Sequence, residues 1–69
     1  MSGRTVKVYE VLHDGSGEGA AGDGTHVARF RALADAERFA STATLYGRPA
    51  PRPHLYEAPR RLAVRWGMA

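Results

Sequence analysis

"RTVKVYEVLH", residues 4–13, is the stretch whose reading decides the fold. β-Branched and aromatic residues dominate it, the composition of a pleated, half-buried surface. Successive side chains of a strand point to opposite faces. Val6, Val8 and Leu12 therefore share one face, and Lys7, Tyr9, Val11 and His13 share the other. The first set is the more apolar and is the expected core side. Glu10 interrupts it, and a carboxylate there needs an edge position or an arginine partner.

The following segments complete a hairpin. Residues 14–25, "DGSGEGAAGDGT", hold five glycines in twelve positions. Ordering such a loop costs about 1–2 kcal/mol per residue, whereas closing it costs little, so a mobile hairpin loop is expected. "THVARFRA", residues 25–32, reads as the returning strand, with Ala28, Phe30 and Ala32 on one face and Val27, Arg29 and Arg31 on the other.

Residues 33–46, "LADAERFASTATLY", carry Leu33, Ala36, Phe39, Ala40, Ala43 and Tyr46 at spacings of three and four, one helical stripe. Asp35 and Glu37 suit the positive end of the helix dipole. No good side-chain cap precedes them, since Ala32 and Ala34 flank the start. Gly47 and Pro49 mark the expected stop.

Pro49, Pro51 and Pro53 alternate through the connector 47–53. Alternate N–H groups of an extended chain point the same way, so the prolines remove donors from one side only. The segment suits a stiff connector leading into an edge strand, "PHLYE" at 53–57, better than a recognition arm. Residues 59–67, "PRRLAVRWG", fit either period: Leu62 and Trp66 fall at i, i+4, while Leu62, Val64 and Trp66 also alternate. A short helix after Pro59 is the preferred reading.

The expected architecture is α+β. It is one small domain over residues 1–69, a ββαβ hairpin–helix–strand unit with a short C-terminal helix or strand. The helix is expected to cover the Val6 and Val8 face, burying Leu12, Phe30, Phe39 and Leu62 with them. At 69 residues, folding hides only about 60% of the unfolded surface, and dimerisation would add to that. The chain has no cysteine and no apolar run of leader or membrane-span type, so a cytoplasmic protein is expected.

Nine of ten basic residues are arginine, and alanine and glycine are abundant, a bias typical of GC-rich bacterial coding. The distribution says more than the total. Residues 48–69 hold five arginines against Glu57, whereas residues 1–47 hold six acids and five bases. An acidic partner would meet the C-terminal third.

Catalytic and metal-binding patterns are weak. Asp14, Ser16, Glu18 and Gly19 match part of a calcium loop, but Thr25 stands where the bidentate glutamate belongs. His13 and His26 bracket the loop, where a hairpin could bring them face to face across its base. With Asp14 or Asp23 they offer nitrogen and oxygen ligands at no zinc spacing. Ser2, Ser16 and Ser41 have no evident histidine base. The expectation is a non-enzymatic binding module with no cofactor, no metal, no membrane and no small-molecule substrate.

Two surfaces are candidates. The first is the uncovered sheet face, with Lys7, Tyr9, Val11, Val27, Arg29 and Arg31. The second is the basic C-terminal patch of Arg60, Arg61 and Arg65. A protein partner or a homo-oligomer is the leading expectation, because a bare, half-apolar face is commonly closed by association. Nucleic acid is the alternative, with bases stacked on Tyr9 and phosphates on the arginines.

Overall fold

The computed structural model describes residues 4–15 and 24–69. Most of the glycine loop, including Ser16, Glu18, Gly19 and Asp23, lies outside the described residues, and so do the expectations of mobility and calcium binding. Three strands form the main sheet: β1 (Thr5–His13), β2 (His26–Phe30) and an edge strand reached after the prolines, His54–Pro59. The central strand is β1, antiparallel to both neighbours. A helix, α1 (Leu33–Thr42), follows β2, and a shorter helix, α2 (Arg60–Arg65), follows the His54–Pro59 strand. The architecture is the expected α+β hairpin–helix–strand arrangement, and its C-terminal piece is helical.

The register corrects the expected faces. Tyr9 pairs with Phe30, Val11 with Ala28 and His13 with His26. Phe30 therefore belongs with Tyr9 and Val11, not with Val6 and Val8. The sheet consequently has two cores, one on each side. Val11, at 0% exposure, packs with Ala36 and Ala40 of α1, joined by Tyr9, Ala28, Phe30 and Phe39. Val8, also 0% exposed, packs on the opposite face with Ala58 and Ala63, joined by Val6, Tyr56, Trp66 and Met68. Leu12, expected in the core, is 41% exposed. The long loop leaves register free, and a one-residue slip exchanges the faces of a strand. Because β1 is apolar on both faces, its pattern does not choose between them.

Glu10 meets the arginine it needs. The Arg29 side chain donates from Nε to Glu10 Oε2 at 3.1 Å, and its guanidinium carbon lies 3.8 Å from the Trp66 ring centre. Trp66 in turn tilts against Tyr56, centroids 6.2 Å apart. A cation stacked over indole and paired with a carboxylate keeps its charge satisfied while α2 closes over the sheet.

The helix α1 stops four residues earlier than its stripe suggests. Ser41 Oγ and Thr42 Oγ1 donate back to the carbonyls of Arg38 and Phe39, and Ala43 is already extended. Such back-bonding by β-branched and hydroxyl residues competes with helix continuation. A miniature hairpin follows, β3 (Thr44–Leu45) and β4 (Arg48–Pro49). Its two-residue turn places Tyr46 at φ 52 and Gly47 at φ 82, the positive pair of a type I′ turn. The last strand of the main sheet is thus β5 (His54–Pro59).

Packing and a strong C-terminal stop hold α2 together, since its N-cap Pro59 makes no side-chain cap bond. The Met68 N–H donates to Ala63 C=O at 2.8 Å and the Gly67 N–H to Val64 C=O at 2.9 Å. Gly67 has φ 75, the left-handed residue of a Schellman end. A Cβ at Gly67 would meet nothing within 4 Å, so only backbone strain opposes it. Gly67→Ala is expected to cost about 1 kcal/mol, measured as a fall of about 4–8 °C in melting temperature.

Candidate functional site

The two helices cover different parts of the sheet. By register, one face carries Val6, Val8, Glu10 and Leu12 with Val27, Arg29, His54, Tyr56 and Ala58. The core around α2 reaches Val6 and Val8 there and leaves the Leu12 end bare. The opposite face carries α1 over Tyr9 and Val11 and leaves Lys7, Leu55 and Glu57 exposed. Two areas of bare sheet result, at opposite ends of opposite faces.

The expected open-face site is therefore divided. Lys7 and Tyr9 lie on the α1 side, Lys7 exposed and Tyr9 half-buried against the core. Val11 is sealed beneath α1. Val27, Arg29 and Arg31 lie on the other face. Arg29 is held by Glu10 and Trp66, and Arg31 donates to the Met68 carbonyl. The physical reason is again the register. Once Tyr9 faces Phe30, the ring and the arginines cannot share a surface. What the pairing does bring together is Leu12 and Val27, directly opposed and exposed by 41% and 38%. The sequence signal for this pair is two apolar residues flanking the loop, one just before and one just after it, which faces assigned strand by strand obscure.

The basic patch stays on one short helix. Arg60, Arg61 and Arg65 are all exposed on α2. None of the three makes an ion pair among the described residues. Arg65 sits in the last turn, where the dipole favours it, but Arg60 and Arg61 oppose the dipole in the first turn.

His13 and His26 do meet, with rings stacked at 5.5 Å. The edge of Phe39 closes on His13 from α1 at 5.1 Å. The His13 Nδ1 accepts the Gly15 N–H at 3.2 Å. Asp14, at 4% exposure, is committed to the fold: its carboxylate accepts the Tyr46 N–H at 2.6 Å and the Thr44 hydroxyl at 3.4 Å. Among the described residues no group of three or more His, Asp or Glu side chains is placed to hold a metal.

A shallow groove of about 450 Å³ runs between α1 and the proline connector, floored by Ala40, Pro49, Ala50 and Pro53 with Glu37 and Arg52 at its rim. Among the described residues no helix is long and apolar enough to cross a membrane. Comparison with known protein families, curated proteins and solved structures finds no match.

Proposed function

We propose that this chain is a small non-enzymatic binding module of the cytoplasm that works by protein–protein contact, self-association foremost. The observation that carries this reading is the exposed Leu12–Val27 cross-strand pair on sheet that neither helix covers. Two aliphatic side chains opposed in this way are a nucleus that a partner surface can desolvate, at about 25 cal/mol per Å² removed from water. The part-buried Arg29–Glu10 ion pair beside them supplies a polar rim of low net charge. Solution mass across a concentration series tests it. The wild type is expected to dimerise, and Leu12→Asp to weaken association at least tenfold while the monomer stays folded. An unchanged dimer in Leu12→Asp would remove this face from consideration.

A second reading rests on a different observation, the three arginines of α2 that make no ion pair among the described residues. Under it, phosphates of nucleic acid track Arg60, Arg61 and Arg65. Binding to single-stranded DNA would then fall steeply as salt rises, because each neutralised phosphate releases condensed counterion. Replacing all three arginines with Glu is expected to abolish that binding and leave the dimer intact. Equal affinity of this variant and the wild type would exclude the patch.

A further inference from the structure

We infer that the second copy joins strand to strand along the free edge of β2, about a two-fold axis at Ala28, so that two three-stranded sheets become one. The inference rests on the self-association reading and specifies its geometry.

The argument begins with which backbone groups point outward. In an antiparallel ladder, opposed residues alternate between pairs that exchange hydrogen bonds and pairs that do not. The Arg60 N–H donates to the Arg4 carbonyl at 3.0 Å, and Arg4 with Arg60 is the next step of the register that pairs Thr5 with Pro59. Val6, Val8 and Glu10 therefore turn their backbone groups toward β5. Lys7, Tyr9, Val11 and His13 turn theirs toward β2. Their partners on β2, the residues Phe30, Ala28 and His26, point inward. Val27 and Arg29 present their N–H and C=O groups to the outer edge, and no strand pairs that edge among the described residues.

The same phase shows why the other edge is unsuitable. On β5 the outward positions are Leu55, Glu57 and Pro59, with Pro53 one step before the strand. Neither proline has an N–H. Two donors remain, bracketed by residues that end any added ladder, a common protection of sheet edges. No proline or lysine protects β2. Its one cation, Arg29, is neutralised by Glu10 of its own chain.

The β2 edge is also self-complementary. An axis at Ala28 sets Val27 of each copy against Arg29 of the other. Each such pair exchanges both hydrogen bonds, about four in all. Like charges are not opposed, as they would be about an axis at Arg29. The closest approach, at the non-hydrogen-bonded pair, falls between two alanines. The Leu12–Val27 patches of both copies then lie on one side of the joined sheet, side by side.

Amide hydrogen exchange, read residue by residue at two protein concentrations, is the test, together with the solution mass of Val27→Pro and Val27→Ala. The expected result is protection of the Val27 and Arg29 amides that rises at least tenfold with concentration. Val27→Pro removes an outward donor together with the valine side chain and breaks no bond within the sheet, so it is expected to be a folded monomer with Ala28 and Phe30 amides still protected. Val27→Ala keeps the donor and loses only apolar contact, so it is expected to dimerise more weakly than the wild type and more tightly than Val27→Pro. A dimeric Val27→Pro would overturn strand addition and leave the association reading standing. A wild type that stays monomeric at millimolar concentration overturns both. Should Val27→Pro not fold, exchange in the wild type decides alone: Val27 and Arg29 amides that exchange at the open-chain rate at every concentration refute the pairing.

Discussion

Val11→Asp is expected to unfold this protein at room temperature, whereas Leu12→Asp, one residue further on, is expected to leave the monomer folded. Val11 is fully buried between β1 and α1, against Ala36 and Ala40. Replacing it forfeits about 1.5–3 kcal/mol of burial and places a carboxylate where desolvation costs several kcal/mol more. A domain of this size has a total stability of about 3–10 kcal/mol, so the folded state does not survive. Leu12 is 41% exposed, and its replacement changes stability by under about 1 kcal/mol. Far-ultraviolet circular dichroism and a denaturant titration of both variants check this. The contrast is sharp because simple alternation places Leu12 inside and Val11 outside.

Asp14→Ala has the next largest effect, a loss of about 2–4 kcal/mol and about 10–25 °C in melting temperature. The buried carboxylate anchors the β3–β4 turn to the end of β1, and the Asp14 N–H donates to Thr44 C=O at 3.0 Å from the same place. Tyr46 sits at φ 52, a conformation that costs about 1 kcal/mol or more for a residue with a side chain. The short bond from its N–H to Asp14 offsets that strain. Asp14→Asn keeps an acceptor and is expected to lose about half as much. The Tyr46 amide should gain solvent exchange in the alanine variant before any other amide does. A melting temperature within 2–3 °C of the wild type would show that the turn stands without its anchor.

The strands, the helix start and the edge role of the "PHLYE" segment follow from period and proline placement, signals local to each segment. The C-terminal helix is ambiguous in the sequence because Leu62, Val64 and Trp66 fit both periods. The Schellman end at Gly67 favours the helix, since it satisfies carbonyls that a strand would leave to water. Pairing was less legible. Faces depend on register, register here is not set by a short turn, and β1 carries apolar residues on both sides. The helix end was hidden by Ala43 and Tyr46, which continue the stripe that Asp14 and the I′ turn interrupt from outside it. Asp14 reads in the sequence as a candidate metal ligand of the loop, because the partners that hold it, Thr44 and Tyr46, lie thirty residues on. For the candidate site, the arginines of α2 were readable as a charge cluster. The Leu12–Val27 pair was not, because it exists only after the register is known.

The central claim is that the sheet is packed on both faces by different helices, which is what leaves Leu12 and Val27 bare. Methyl nuclear Overhauser contacts in a carbon-13-edited spectrum test it directly. The expected pattern is contacts from Val8 methyls to Ala63 and Trp66, and from Val11 methyls to Ala36 and Ala40, with no crossing between the sets. Contacts from Val8 to Ala36 or Ala40 would place both valines' neighbours on one side and contradict the account.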